Sequence, residues 1–384
     1  MEMDVEAYKS RRAYRVLSEE RAREYGTFKD SLRAPIHRWF KYPAGYSYRL
    51  IETKIHQYGL DENCWILDPF VGCGTTSVVA KAEGVNSIGI EAHPFVFEVA
   101  RTKVFWEYDL EALERCINEI TNEVTEIIEN GDTETVDLSQ LPKLVRKCYS
   151  PKNLAKLVVI RDTIGQRVND RHIRQFLNLA LTDTLRTAAK AATGWPYIAP
   201  AKMHQRTVEK DGLEEFRKQA RRMYRDLRAV LSQKRQKVDC ILIEGDARES
   251  HAEIRDGTIV LAMTSPPYLN NYDYADRTRL ETYFFGMMSS WGEITKKIRD
   301  KLMIAATTQI RRTDFDEGHI VTEDIRRASP AVYAELVQKV EALSEIRLTK
   351  GGRKSYDIMV GTYFDDMLKV LKQVYRALKK NSDF

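Results

Sequence analysis

A strand, a glycine turn and a helix at residues 64–76 constrain the fold of this chain more than any other feature. The sequence there is Cys-Trp-Ile-Leu-Asp-Pro-Phe-Val-Gly-Cys-Gly-Thr-Thr, and its apolar start predicts a buried strand over residues 64–67. Gly72 and Gly74 allow the backbone to approach a ligand closely. A helix is predicted to begin at Thr75. This order indicates an α/β fold that binds ligands at the carboxyl edge of its strands.

The sequence predicts three further strands, over residues 86–91, 238–246 and 259–263. Glu91 lies 23 residues after Asp68, at the end of the second strand. In dinucleotide-binding folds, an acidic residue about 20 residues beyond the glycine turn accepts hydrogen bonds from ribose hydroxyls. Glu91 is therefore a candidate ribose contact, and a solvated acidic turn is the alternative.

The fourth strand runs into Thr-Ser-Pro-Pro-Tyr at residues 264–268. Prolines cannot donate to a strand ladder, so a stiff turn ends the strand. An exocyclic amino nitrogen of a nucleobase is a poor nucleophile, because its lone pair is delocalised into the ring. The Ser265 hydroxyl and the Pro266 carbonyl can accept hydrogen bonds from such an amine. Tyr268 can stack on the base, a contact worth roughly 1–3 kcal/mol; a packed tyrosine in a structural turn is the alternative.

These stretches resemble motifs I and IV of the S-adenosylmethionine-dependent amino-group DNA methyltransferases, the latter in its Ser-Pro-Pro-Tyr form. Residues 36–48 resemble motif X, which packs on the methionine end of the cofactor, and Asp246 resembles motif III, which meets the adenine amino group. The catalytic residues that the resemblance implies are Ser265, Pro266, Pro267 and Tyr268. The cofactor-binding residues that it implies are Tyr42, Asp68, Pro69, Phe70, Gly72, Gly74, Thr75, Thr76, Glu91, Asp246 and Thr264.

The resemblance covers most of the chain and implies a doubly wound, mostly parallel α/β sheet of the Rossmann-like class I methyltransferase type. We expect residues 1–106 to hold an N-terminal arm, motif X and the first half of the methyltransferase domain. Residues 107–237 are predicted to be a helical insertion that recognises DNA. Residues 238–384 complete the domain, with a charged helical excursion at 292–350. The candidate DNA-binding residues are Arg221, Arg222, Arg225, Asn270, Asn271, Tyr272 and Arg277; for the arginines, a solvated helix face is the alternative.

The composition of the chain bears on its possible partners and on its cellular location. The chain has 384 residues, of which 43% are hydrophobic, and a net charge of +5, which is compatible with nucleic acid. No apolar run approaches the ~20 residues needed to span a bilayer, and the five cysteines lack Cys-x-x-Cys spacing. We therefore expect a reduced, cytoplasmic protein without a membrane segment or a structural metal.

The resemblance implies methyl transfer from S-adenosylmethionine to an amino group of a base flipped from double-stranded DNA. The Ser-Pro-Pro-Tyr form is typical of cytosine-N4 enzymes, and adenine N6 is the alternative. An RNA or tRNA amino-methylase and a non-catalytic cofactor- or DNA-binding subunit of a modification complex also stay open. The chain has no Pro-Cys pair, so a C5-cytosine mechanism is set aside. A cognate restriction endonuclease is an expected partner.

The last helix is predicted over about residues 363–380, followed by a turn and no further strand. Its predicted sheet-facing residues are Tyr363, Phe364, Met367, Leu368, Leu371, Val374, Tyr375 and Leu378. Four strands would leave a sheet edge unpaired. We therefore expect an incomplete catalytic domain, whose C-terminal strands come from a second polypeptide or are missing from a fragment. The alternative is that residues 356–360 fill the edge.

Overall fold

A parallel sheet lies at the centre of the computed structural model, which describes residues 25–42, 45–190, 209–233, 236–269, 272–315, 320–350 and 354–383. Its strands are β1 Trp65–Asp68, β2 Asn86–Glu91, β3 Cys240–Glu244, β4 Ile259–Ala262 and β5 Leu378–Asp383. Their order is β3-β2-β1-β4-β5, and every neighbouring pair is parallel. The chain winds outward from β1 in both directions, so the predicted doubly wound α/β fold is confirmed.

Helices account for most of the remaining described residues. They are α1 Tyr48–Tyr58, α2 Thr75–Glu83, α3 Pro94–Val104, α4 Leu110–Glu129, α5 Lys143–Cys148, α6 Pro151–Arg167, α7 Arg171–Ala188, α8 Gly212–Leu231, α9 Tyr274–Arg277, α10 Arg279–Phe284, α11 Trp291–Lys297, α12 Glu323–Ala328, α13 Pro330–Thr349 and α14 Tyr356–Ala377. Short 3-10 turns lie at His37–Trp39, Asp132–Thr135, Arg299–Lys301, Thr307–Gln309 and Arg312–Asp314. Among the described helices, none is long and apolar enough to cross a membrane.

The two faces of the sheet are covered by different helices. On one face, Ile66 packs with Ile55 of α1 and Val79 of α2. On the other face, Leu67 packs with Val370 of α14 and other aliphatic side chains. Alternation along a strand sends neighbouring side chains to opposite faces, so the apolar residues of β1 and β4 are buried on both sides of the sheet.

The helices α4 to α8 form a helical layer, whose apolar core includes Phe176, Phe216 and Leu227 and continues into α2, α3 and α10. Asp226 of α8 fixes the N-terminal segment to this layer. Its carboxylate accepts hydrogen bonds from Arg38, from the Trp39 indole at 3.1 Å and from the Ile36 amide at 3.4 Å. Within the described part of residues 107–237 only helical elements occur, and the division into three segments stays a prediction.

The expectation that no strand follows the last helix is wrong. β5 begins directly after α14, with Leu378 paired to Ile259 of β4, and an irregularity shifts the register before Leu261. The alternative for this edge is also wrong, because residues 356–360 form the first turn of α14. In the part of the chain that the structure describes, the sheet therefore has five strands, and β5 covers the edge of β4.

Candidate active site

The carboxyl ends of β1 to β4 meet at an open cleft. Parallel strands bring their carboxyl ends to one edge, and the change of winding direction between β1 and β4 leaves a crevice there. The predicted site residues that line the cleft are Tyr42, Pro69, Phe70, Gly72, Thr75, Glu91, Asp246, Ser265 and Pro267. Residues from five separate stretches of the chain thus share one cavity.

The glycine turn after β1 forms the floor of this cleft. Gly72 and Gly74 have φ angles of 52° and 88°, in the left-handed region that glycine adopts without strain. A side chain on Gly72 would also lie 3.1 Å from the Tyr42 ring, and one on Gly74 would lie 3.3 Å from Ala100. Both positions therefore need glycine for backbone conformation and for space.

Asp68 holds the turn together from behind the cleft and does not line it. Its carboxylate accepts hydrogen bonds from the hydroxyls of Tyr46 and Thr76 and from the Phe70 amide. Burial raises the pKa of Asp68, and the hydroxyls of Thr76 and Thr264 oppose that rise. Asp68 therefore supports the glycine turn through its hydrogen bonds to protein groups, and its assignment to the cofactor site stays a prediction.

Glu91 ends β2 and faces the cleft. Its carboxylate accepts a hydrogen bond from the His93 amide at 2.7 Å. Burial, opposed by backbone hydrogen bonds and assisted by Asp68, raises the pKa of Glu91 to about 7. His93, which also lines the cleft, has its pKa lowered to about 4 by burial, so its ring is neutral at physiological pH. A carboxyl group that titrates near neutrality in a cleft is a candidate ligand contact.

Asp246, directly after β3, is paired with Arg248. The Arg248 Nε lies 2.9 Å from both carboxylate oxygens of Asp246, and its Nη1 donates to Asp366 of α14 at 2.7 Å. The backbone amide of Arg248 donates to Asp246 as well, at 2.9 Å. The direction of the Asp246 carboxylate at the cleft wall is therefore fixed by several hydrogen bonds.

The turn after β4 presents Ser265 to the cleft. The Ser265 hydroxyl donates to the Tyr268 hydroxyl over 3.4 Å, and the Tyr268 ring is 40% exposed, so a planar group can reach it. The Tyr268 amide donates to the Tyr274 hydroxyl at 3.1 Å, and the Tyr363 hydroxyl donates to the Pro267 carbonyl at 2.9 Å. Pro266 lies in this turn without lining the cleft.

Two of the predicted DNA contacts beyond this turn are buried. Tyr272 and Arg277 are each 5% exposed, and Asn270 and Asn271 lie outside the described residues. Among the residues that the structure describes, the Nε and Nη1 groups of Arg277 have no hydrogen-bond partner. Burial and the nearby Arg186 lower the pKa of Arg277 to about 10. Arg277 is thus an interior cation, and its assignment as a DNA contact stays a prediction.

Arg186 of α7 and Glu281 of α10 form the ion pair beside this cation. Arg186 contacts both carboxylate oxygens of Glu281 and donates to the Arg277 carbonyl at 2.7 Å. Arg277 lies 4.0 Å from the same carboxylate. Two guanidinium groups therefore share one carboxylate inside the protein.

The predicted basic helix is α8. Arg221 and Arg225 are exposed on it, whereas Arg222 is half-buried and lies 3.2 Å from Asp183 of α7. Glu214 and Glu215 lie with Arg221 around a shallow depression. Only two of the three arginines are therefore available for a partner without breaking an ion pair.

Several cleft residues carried no signal in the sequence. Tyr46, Arg248 and Tyr274 all line the cleft, and each makes a hydrogen bond that fixes a predicted site residue. Tyr46 lies within the aromatic segment at residues 36–48, which was singled out as a whole. Arg248 could have been found only from its position two residues after Asp246.

Comparisons with known proteins agree with this architecture. The DNA methylase family N6_N4_Mtase matches residues 5–102. Type II methyltransferase M.BsoBI of Geobacillus stearothermophilus is 26% identical over 385 aligned positions, which cover 90% of this chain and 72% of the relative. Type II methyltransferase M.AvaI of Anabaena variabilis is 23% identical, covering 95% of this chain and 76% of the relative. No solved structure matches the chain significantly.

The parallel sheet and the cleft at its carboxyl edge are those expected of a Rossmann-like α/β methyltransferase. The family match and the relatives support an amino-group DNA methyltransferase, of the kind that modifies cytosine N4 or adenine N6. The resemblance drawn from the sequence is thereby confirmed. Methyltransferases of this family use S-adenosylmethionine as the methyl donor.

Proposed function

We propose that the chain transfers a methyl group from S-adenosylmethionine to the exocyclic amino nitrogen of a base flipped from double-stranded DNA, with cytosine N4 as the target. The observation that carries the proposal is the shared cleft. Gly72, Glu91 and Asp246 line the same cavity as Ser265 and Pro267, so a cofactor and a base can meet there. The cytosine preference is supported by the Ser-Pro-Pro-Tyr sequence of the catalytic turn.

The residues present fit the cofactor. Glu91 at the end of β2 can accept hydrogen bonds from the two ribose hydroxyls, and Asp246 can accept one from the adenine amino group. Tyr42 packs over Gly72, where the amino-acid end of the cofactor would lie. The two carboxylates also suit a ligand that carries positive charge. When bound, S-adenosylmethionine supplies an electrophilic methyl group on a sulfonium ion.

The catalytic turn would prepare the amine. The Ser265 hydroxyl donates to Tyr268, so its lone pairs remain available to an N–H group of the base. The Pro266 carbonyl would accept the second N–H, which leaves the nitrogen lone pair directed at the methyl group. Extruding a base costs a few kcal/mol, and stacking on the exposed Tyr268 ring would return roughly 1–3 kcal/mol.

DNA contact by the exposed arginines of α8, Arg221 and Arg225, remains part of the proposal. We also propose that Asn270 and Asn271, which follow the catalytic turn, contact DNA. A cognate restriction endonuclease is a proposed partner because the relatives are Type II methyltransferases. We also propose that a second polypeptide adds strands beyond β5. The proposed location is the cytoplasm, with the DNA.

Radioactive methyl transfer tests the proposal. The purified chain is incubated with labelled S-adenosylmethionine and plasmid DNA from a host without DNA methylases, and the DNA is digested to nucleosides. We expect N4-methylcytosine, and N6-methyladenine would support the alternative target. In a parallel incubation with tRNA, label in tRNA but not in DNA would contradict the proposal.

Ser265→Ala is the decisive variant. Loss of one polar contact made in the transition state should slow transfer by roughly 10²–10³-fold and leave S-adenosylhomocysteine affinity nearly unchanged. Ser139→Ala, an exposed serine in the helical layer, is the matched control. Wild-type turnover in Ser265→Ala would remove this residue from the mechanism.

A further inference from the structure

Helix α14 contacts both sides of the cleft through two side chains on the same helix face. One side is the catalytic turn at residues 264–268, and the other is the wall that carries Asp246. Tyr363 and Asp366 are three residues apart, a spacing that places both on one side of a helix. Tyr363 bonds to the catalytic turn, and Asp366 bonds to Arg248 beside the proposed adenine contact. Neither residue lines the cleft in the described structure. Both therefore act on the site through other groups.

On the catalytic side, two tyrosine hydroxyls hold one peptide group. Tyr363 donates to the carbonyl of Pro267 at 2.9 Å, and the N–H of Tyr268 donates to the Tyr274 hydroxyl at 3.1 Å. The carbonyl and the N–H belong to the same planar peptide bond, so the two contacts fix its rotation. Its orientation sets where the Tyr268 side chain leaves the backbone.

On the cofactor side, Asp366 is almost completely buried and anchors the cleft wall. It accepts from Arg248 at 2.7 Å and from the Ile304 amide at 3.5 Å. Arg248 also donates to the Lys301 carbonyl at 3.3 Å. The wall that follows Lys301 and the Asp246 carboxylate are thereby tied to the same face of α14.

We infer that Tyr363 is a positioning residue for methyl transfer and that α14 sets the cofactor and the flipped base in register. The inference rests on the proposed function. A near-attack geometry requires the methyl carbon and the amine to be placed within about 3–3.5 Å. Helix α14 meets this requirement because it contacts both the catalytic turn and the Arg248 side chain beside Asp246. Neither of these two can then shift alone.

Tyr363→Phe removes only the hydroxyl. We expect kcat for methylation of unmethylated plasmid DNA to fall about 10- to 100-fold, because a loosened supporting contact misplaces the reacting groups. The dissociation constant for S-adenosylhomocysteine should stay within about two-fold, since that ligand needs no catalytic turn. Tyr375→Phe changes a tyrosine of the same helix that is 83% exposed, and it should have wild-type kinetics.

Asp366→Asn tests the other contact. It should weaken S-adenosylhomocysteine binding by roughly 10-fold, because Arg248 loses a charged partner. If α14 couples the two sides, the effects of the two changes on kcat/KM should be non-additive in the double variant. Strict additivity would show that the contacts act separately and would overturn the coupling.

Two outcomes would overturn the role of Tyr363 while leaving the proposed function intact. One is wild-type kcat in Tyr363→Phe. The other is an equal loss of kcat and of S-adenosylhomocysteine binding, which would make the hydroxyl merely structural. By contrast, a wild-type chain that binds S-adenosylhomocysteine but never methylates DNA would refute the proposed function itself. The wild-type assay therefore separates the two failures.

Discussion

Cofactor affinity should depend on pH through Glu91. The folded protein holds the pKa of this carboxyl at about 7, mainly because the group is buried. If ribose hydroxyls donate to it, the ionised form binds the cofactor and the protonated form does not. Glu91 is roughly one-tenth ionised at about pH 6 and roughly three-quarters ionised at about pH 7.5. S-adenosylhomocysteine should therefore bind roughly eight-fold more tightly at the higher pH.

Calorimetric titration over this range is the assay, and Glu91→Gln is the control. The glutamine variant should bind more weakly at about pH 7.5, by about 1–3 kcal/mol, and its affinity should not change with pH. His93, the neighbouring cleft residue, has a pKa of about 4 and stays neutral throughout. A wild-type affinity that does not change between the two pH values would refute the ribose contact or the raised pKa.

The raised pKa of Glu91 also affects the stability of the ligand-free protein, but there stability falls as the pH rises. Because the pKa is higher in the folded chain than the ordinary value of 4.5, protonated Glu91 favours the folded state. This contribution is complete below about pH 4.5 and is lost as the pH rises through 7. Glu91→Gln should therefore raise the melting temperature at pH 7.5 and leave it unchanged near pH 4.5.

Three further predictions concern charged residues that do not line the cleft. Arg277→Met should leave the free energy of unfolding unchanged or raise it by about 1–2 kcal/mol. Arg186→Met should lower it by about 3–5 kcal/mol, because Arg186 donates the hydrogen bonds to the buried Glu281 carboxylate and Arg277, 4.0 Å away, does not replace them. Urea unfolding at pH 7 compares the two variants. Asp226→Asn should destabilise by about 1–3 kcal/mol, since a charged acceptor of several donors is lost; thermal unfolding measures this. Changing Arg221 and Arg225 to Gln should reduce the slope of log DNA affinity against log salt concentration by about two units. An unchanged slope would show that these arginines form a solvated helix face and do not bind phosphates.

The sequence predicted those features that local patterns encode. The bounds of β2, Asn86–Glu91, agree with the structure residue for residue, because its two isoleucines are β-branched and favour a strand. The glycine turn was equally clear, since Gly72 and Gly74 occupy left-handed conformations. What these patterns could not give was the partner of each polar side chain. The role of Asp68 behind the cleft depends on Tyr46, and Tyr46 lies in a different segment.

Two predictions for the C-terminal end were wrong, namely that no strand follows the last helix and that Tyr375 faces the sheet. Each error has a physical cause. Residues 378–383 contain a single apolar side chain, so β5 is defined by backbone pairing to β4 and carries no strand pattern. In α14, the predicted stripe included Val374, which packs on the sheet, but it also included Tyr375, which is 83% exposed, and it left out Val370, which packs in the same cluster as Val374. Two apolar stripes compete on this helix, and only the tertiary contacts select between them.

The bonds from Asp226 to the N-terminal segment limit how the helical layer can be exchanged. Ile36 has a φ of 62°, a strained conformation for a branched residue, and the Asp226 carboxylate accepts from its amide. A few residues later the same segment supplies Tyr42 to the cleft. A chimera that replaces the layer with that of a relative, to redirect DNA specificity, would therefore also release one wall of the cofactor site. Such a graft should retain methylation only if Asp226 and residues 36–39 are transplanted as a unit.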